Sequence, residues 1–303
     1  MPAMQVISGS AHPALAAEVA ADLQLALTPV QFASFADGEV RIHIDGDLRG
    51  STAFVVQPTS PPVNDHLVEL ALLIDAARAA GASQVTAVVP YFGYARQELR
   101  SAVGDPRSAQ VAIRFLASVD MDHLITVDLH APALESAFPM PITHLRAEEV
   151  LLPTIQRWGI EDLVVVSPDA GGLKRAQRMA TALASRVAVV AKDRPSPDMT
   201  RALQVLGDVR GCSCLLIDDM ASTGRTLVGA AEALRQAGAR EVRAAFTHAV
   251  MAPGALERLQ AASFAALLTT NTIPLVPQPG MDVVSIAPQL VRSMQNLASA
   301  AEG

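Results

Sequence analysis

Residues 214–227 read CLLIDDMASTGRTL. The apolar positions 214–217 are consecutive rather than alternating, which suits a strand buried on both faces, as in a parallel sheet covered by helices. From residue 226 the period changes. Leu227, Ala230, Ala231 and Leu234 recur at helical steps over 226–237, and Gly238 supplies the glycine that commonly ends a helix. Between strand and helix lie two acids and a run of small hydroxylated residues. Strand, polar turn and helix in that order form the repeating unit of an α/β fold.

The same rhythm runs outward in both directions. Short aliphatic runs occur at 53–57 (AFVVQ), 85–89 (VTAVV), 124–128 (LITVD), 163–167 (LVVVS), 187–191 (VAVVA) and 242–247 (VRAAFT). Residues 63–80 place Val63, Leu67, Leu70, Ile74 and Ala77 on one helical face and stop at Gly81. The number of strands calls for two mainly parallel sheets flanked by helices, one built from residues 1–144 and one from 145–285. A terminal helix over 286–303 is expected to join the first domain. Residues 273–282 (IPLVPQPGMD) read as a surface crossover, and the polar stretch 96–110 as a mobile loop.

Composition bounds the function. A chain of 303 residues has room for one large or two ordinary domains, and 50% hydrophobic against 17% charged residues argues for a large aliphatic core and against disorder. Thirty acids against 23 bases give a net charge of −7, which disfavours binding to a nucleic-acid backbone. Cys212 and Cys214 are too close for an ordinary disulfide and too few for a structural zinc site, so a reducing, cytoplasmic setting is expected. No 18-residue uncharged apolar stretch occurs, and no membrane span is expected.

Three strand runs end in Asp or His: Asp128-Leu129-His130, Ser167-Pro168-Asp169 and Asp218-Asp219. In an open parallel sheet, ligands bind beyond the carboxyl ends of strands. An acid there also serves as an ordinary helix N-cap, and both readings stand for any one of them. The turn Ser222, Thr223, Gly224, Arg225 and Thr226 opens a helix, so its backbone N–H groups and hydroxyls can cradle a phosphate. Asp218 and Asp219 accept hydrogen bonds when ionised, and vicinal sugar hydroxyls would supply them.

IDDMASTGRT resembles the phosphoribosyl diphosphate signature of phosphoribosyltransferases and ribose-phosphate pyrophosphokinases. FADGEVRIHI (35–44), PYFGYARQE (90–98), TVDLHAP (126–132), SPDAGGLKRA (167–176) and AKDRP (191–195) resemble, in order, segments of the pyrophosphokinase family, from about residue 4 to residue 290. The resemblance implies two similar phosphoribosyltransferase-type α/β domains. It also implies transfer of the β,γ-diphosphoryl group of ATP to ribose 5-phosphate. Lys192 and Arg194 would neutralise the transferring phosphates from a mobile loop. Phe35, Asp37 and Glu39, with Gly38 permitting the turn, would meet ATP, as would Arg96 and Gln97. His130 and Asp169 would hold Mg²⁺, with Gly171 and Gly172 letting the backbone approach the diphosphate. Asp218, Asp219, Ser222, Thr223, Gly224 and Thr226 would seat ribose 5-phosphate. The Phe35 loop would enter a neighbouring subunit, making the protein at least a homodimer, with a hexamer as a larger option. Arg225 and Ser222 depart from residues common in the family, and the phosphate loop is still expected to work; Glu98, the stretch 99–110 and Ala133 depart as well, so regulation by ADP and phosphate is not carried over. A phosphoribosyltransferase and a non-catalytic regulatory paralogue are the competing readings.

Overall fold

The computed structural model describes residues 3–193 and 202–300. The chain divides into two units, Met1–Arg146 with Thr272–Pro274 and Ile286–Gly303, and Ala147–Asn271 with Leu275–Ser285. In the first lie β1 (Met4–Ser8), α1 (Pro13–Asp22), β2 (Leu27–Thr28), β3 (Val30–Ser34), β4 (Val40–Ile44), β5 (Thr52–Val56), α2 (Val63–Ala79), β6 (Gln84–Val89), α3 (Ser108–Leu116), β7 (His123–Val127) and β8 (Ile142–Leu145). The second holds α4 (Glu148–Arg157), β9 (Leu163–Ser167), α5 (Leu173–Ala182), β10 (Arg186–Asp193), β11 (Ala202–Leu206), β12 (Ser213–Ala221), α6 (Arg225–Gln236), β13 (Glu241–Ala249), α7 (Ala255–Ala261), β14 (Leu267–Thr270) and β15 (Met281–Val284). Finally α8 (Ala287–Ala300) returns to the first unit, where it packs on α1 and buries Leu290, Met294 and Ala298 at helical spacing.

The first sheet has the order β2-β1-β5-β6-β7-β8, and the second β11-β10-β9-β12-β13-β14-β15. Every neighbouring pair is parallel except the β10–β11 hairpin. Without β11 the two orders have the same topology. Each sheet buries its central strands on both faces, which is why their runs are continuously apolar. In β5 all five side chains are buried, and Ile7, Val55, Leu70, Ile74, Val85 and Leu124 share one core. Val164, Leu216, Leu227, Leu234, Val242 and Phe246 share the other.

Several boundaries differ from the sequence expectation. The strand expected over 214–217 runs on to Ala221, because β13 continues beside it through Asp218↔Phe246, Met220↔His248 and Ala221↔Ala249. The tandem acids therefore stand inside the strand rather than past its end. Helix α3 claims residues 108–110 of the expected loop, and β15 takes the last two residues of the expected crossover. The first unit ends after Arg146, because β8 extends to Leu145.

Candidate active site

In the second unit β10 lies on one side of β9 and β12 on the other, so the chain changes direction between β9 and β12. The two strands stop pairing at Leu216↔Val166, and beyond that point β12 is bonded on its β13 side alone. This opening at the carboxyl ends is where a ligand fits in a doubly wound sheet. On the β9 side, the fully buried Ser167 donates its Oγ–H to the Asp169 carbonyl at 2.6 Å, and Gly172 donates its N–H to Asp169 Oδ1 at 3.1 Å. A Cβ on Gly172 would stand 2.7 Å from Ser167 Oγ, so a side chain there would push that hydroxyl off the Asp169 carbonyl. Gly171 is exposed beside it.

Asp218 and Asp219 face that turn from β12. Their side chains are 16% and 6% exposed, and both approach Nη1 of Arg175 from α5, at 3.8 Å and 3.4 Å. The Asp219 N–H donates to Asp218 Oδ1 at 2.9 Å. Burial, and then the adjoining Asp219 carboxyl, push Asp218 well above the usual carboxylate range, with Arg175 pulling the other way. Keeping two adjacent carboxylates largely out of water is costly, and hydrogen bonds from a ligand would offset part of that cost.

After Ala221 the chain turns through Ser222, Thr223 and Gly224 into α6. Gly224 has φ +74°, a conformation that favours glycine, and no side chain caps the helix, so its first N–H groups have no hydroxyl or carboxylate cap. The turn is held from outside: Ala252 N–H donates to the Ser222 carbonyl at 2.9 Å, and Arg258 Nη1 donates to the Thr223 carbonyl. Thr226 is exposed in the first turn of α6.

The first unit carries the remaining expected residues apart from the Lys192 pair. Strands β3 and β4 form an antiparallel hairpin whose turn is closed by Phe35 N–H to the Glu39 carbonyl, 2.8 Å, and Gly38 N–H to the Phe35 carbonyl, 3.0 Å, with Gly38 at φ +93°. Asp37 Oδ1 accepts from Glu39 N–H at 3.2 Å, and Phe35 is 54% exposed. An aromatic ring presented to solvent on a two-stranded arm is available for stacking. The loop after β6 is pinned by Thr59, whose N–H donates to the Tyr91 carbonyl at 2.8 Å while its Oγ accepts from Gly93 N–H at 2.7 Å. Arg96 and Gln97 are exposed on it, and Gln97 Oε1 accepts from Ser108 Oγ at 2.6 Å. His130 is exposed after β7.

The corresponding opening of the first sheet, between β1 and β5, is filled. Gln57 is fully buried there, accepting from Ala11 N–H at 3.0 Å and donating to Glu69 Oε1 at 2.9 Å. Glu69 also accepts from Ser10 N–H at 2.6 Å and Ser10 Oγ at 2.5 Å.

Lys192 lies on β10 opposite Leu203 of β11. Arg194 lies outside the described residues.

Residues 4–119 match the family model for the N-terminal domain of ribose phosphate pyrophosphokinase, and residues 144–263 match that of the phosphoribosyl transferase domain. The ribose-phosphate pyrophosphokinase of Gloeobacter violaceus is 41% identical over 288 residues, covering 94% of this chain and 87% of that protein. The chain belongs to the ribose-phosphate pyrophosphokinase family. The pyrophosphokinase of Nitrosomonas europaea is 41% identical over 273 residues, covering 90% of this chain and 86% of its own. The crystal structure of phosphoribosylpyrophosphate synthetase from Mycobacterium smegmatis superposes with a TM-score of 0.92 at 35% identity, covering 99% of both chains. Both domains are thus of the phosphoribosyltransferase type. The match to the N-terminal pyrophosphokinase domain, residues 4–119, takes in the hairpin and the 90–98 loop.

Two pyrophosphokinase site neighbours escaped the sequence reading. Arg175 was inside a quoted segment, and its place in the first turn of a helix that follows the Gly171-Gly172 turn is a usable signal. His144, which holds the backbone next to His130, carries no local signal, because its partner is 15 residues away.

Proposed function

We propose that this pyrophosphokinase is an active ribose-phosphate diphosphokinase of nucleotide biosynthesis. The anomeric hydroxyl of ribose 5-phosphate attacks the β-phosphorus of ATP, the bond from that phosphorus to the α,β-bridging oxygen breaks, AMP leaves, and the hydroxyl proton passes to solvent. The observation that carries this reading is the open crevice between β9 and β12, with two dry carboxylates on one wall and a turn with no side-chain cap beside it. Asp218 and Asp219 accept the ribose hydroxyls, while Ser222, Thr223, Gly224 and Thr226 surround the 5-phosphate.

ATP is bound by Phe35 stacking on the base, by Asp37 and Glu39 accepting from its amine and ribose, and by Arg96 and Gln97. Gly171 and Gly172 let N–H groups approach the moving diphosphate. Lys192 and Arg194 neutralise the charge that builds up on it. The ATP elements lie in the first domain, completed by α8, and the ribose 5-phosphate elements in the second.

Among the described residues no cluster of three or more His, Cys, Asp or Glu side chains is present that alone would cage a cation. Mg²⁺ keeps several waters and takes one or two carboxylates plus substrate phosphates. Asp169, with Oδ1 fixed by Gly172, fits such a role, and His130 is assigned with it, directly or through water. Bound Mg²⁺ would offset phosphate charge. The chain's own residues hold the sugar, orient the triphosphate and supply the remaining cations.

The protein is proposed to work in the cytoplasm as at least a homodimer, the Phe35 arm reaching a second copy, with a hexamer as the larger assembly. No helix among the described residues is long and apolar enough to cross a membrane. The test is incubation with Mg-ATP and ribose 5-phosphate while AMP is followed. Equimolar AMP and phosphoribosyl diphosphate are expected; no AMP across a range of metal and phosphate concentrations would favour the non-catalytic paralogue.

A further inference from the structure

We infer that Arg175 is a positioning residue of the pentose site, holding the Asp218 and Asp219 carboxylates side by side until sugar hydroxyls take them over. The inference rests on the reading of those two acids as the hydroxyl-binding pair. Carboxylates on successive residues and out of water repel each other, and a cation is needed to keep both facing one crevice. Arg175, itself 12% exposed, stands at that point. Its geometry differs from that of an ion pair built for stability. An arginine fixed to carboxylates usually spends its fork on two parallel short bonds. Here one nitrogen, Nη1, serves both acids at 3.4 Å and 3.8 Å, while Nε is buried with no hydrogen-bond partner among the described residues.

Long contacts and an unspent donor describe a clamp that can be exchanged for ligand at little cost. An incoming pair of hydroxyls can donate to the carboxylates, and the released guanidinium can turn to satisfy Nε. Its position links it to the neighbouring turn as well. Arg175 is in the first turn of α5, directly after Gly171-Gly172, and Nη1 lies 3.9 Å from where a Cβ on Gly172 would stand. The charged groups around it come from two other elements: Asp218 and Asp219 from β12, and Asp169 from the turn after β9, whose Oδ1 likewise lies 3.9 Å from where a Cβ on Gly172 would stand.

The test is calorimetric titration of the full chain with ribose 5-phosphate and, separately, with ATP, for wild type, Arg175→Ala, Arg175→Lys, and the exposed neighbour Lys174→Ala as control. Loss of one partner of a buried charge set is expected to weaken ribose 5-phosphate binding roughly 30-fold or more in Arg175→Ala. ATP binding should shift far less, and Arg175→Lys should recover most of the affinity. The double variant Arg175→Ala/Asp218→Asn should bind no more weakly than Asp218→Asn alone, since both changes remove one arrangement. Unchanged ribose 5-phosphate affinity in Arg175→Ala, equal losses for both ligands, or additive losses in the double variant would overturn the inference. If Arg175→Ala does not fold, affinity for ribose 5-phosphate in Arg175→Lys as low as in Asp218→Asn would overturn it as well. Wild type that binds ribose 5-phosphate but forms no AMP would sink the catalytic reading while leaving Arg175 in place.

Discussion

Leu129 donates its backbone N–H to Nε2 of His144 at 2.8 Å, one residue before His130. An amide is always the donor, so Nε2 is the acceptor and the ring proton sits on Nδ1, where it is given to Glu135. Leu129 is 2% exposed, and its amide has little water to turn to. The Asp128 N–H is tied to the Leu145 carbonyl at 3.0 Å, so two successive residues of β8 hold the Asp128-Leu129 backbone that leads into His130.

His144→Phe should therefore strand a buried donor at a cost of about 1–3 kcal/mol. Thermal denaturation should show the loss, and KM for Mg-ATP should rise more than KM for ribose 5-phosphate. His144→Gln returns an acceptor and should recover part of both. Equal effects on the two substrates would mean that the contact serves stability alone.

Lys192→Ala should leave the melting temperature nearly unchanged and lower kcat by roughly 10²–10³, the usual effect of losing one donor to a charged transition state. AMP release under saturating substrates measures it. A tenfold or smaller loss would remove Lys192 from the chemistry.

Asp169→Asn keeps an Oδ1 for the Gly172 N–H, so the turn should survive. What changes is the charge offered to a cation, and the Mg²⁺ concentration for half-maximal rate should rise several-fold. Identical Mg²⁺ curves would assign Asp169 to the turn only.

Asp218→Asn should stabilise the protein while weakening it as an enzyme. Because burial and Asp219 raise the Asp218 carboxyl, the folded state binds its proton more tightly than the unfolded chain does. As pH rises from about 3.9, the unfolded carboxyl ionises first, and stability falls until the folded one has ionised too. The asparagine avoids that fall. Its advantage in urea denaturation should be near zero at pH 4 and grow towards neutral pH, whereas an advantage independent of pH would contradict the cause given. Stability given up at a binding residue is a common trade.

How much of this was legible depended on the length scale of each signal. Most interior strands were readable because burial on both faces writes itself as consecutive apolar residues, as in 163–167 and 53–57, but the interior strands β1 and β14, five and four residues long, were not expected. Edge strands were not: β2 has two residues, and β8 is half-buried throughout, so neither needs an apolar run. The extension of β12 over Asp218 and Asp219 was hidden because its cause is β13, a neighbour more than 20 residues away. The site residues on turns were visible as motifs. His144 was not, since it matters through what it touches across the fold, and Arg175 offered only its place in the helix turn after Gly171-Gly172.

The amide of Gln57, buried between β1 and β5 and bound to Glu69, has a consequence for counting. A duplicated architecture suggests two equivalent receptacles per polypeptide, yet the amino-terminal one is already stoppered by its own side chains. Titrated to saturation, each polypeptide should take up a single equivalent of pentose phosphate.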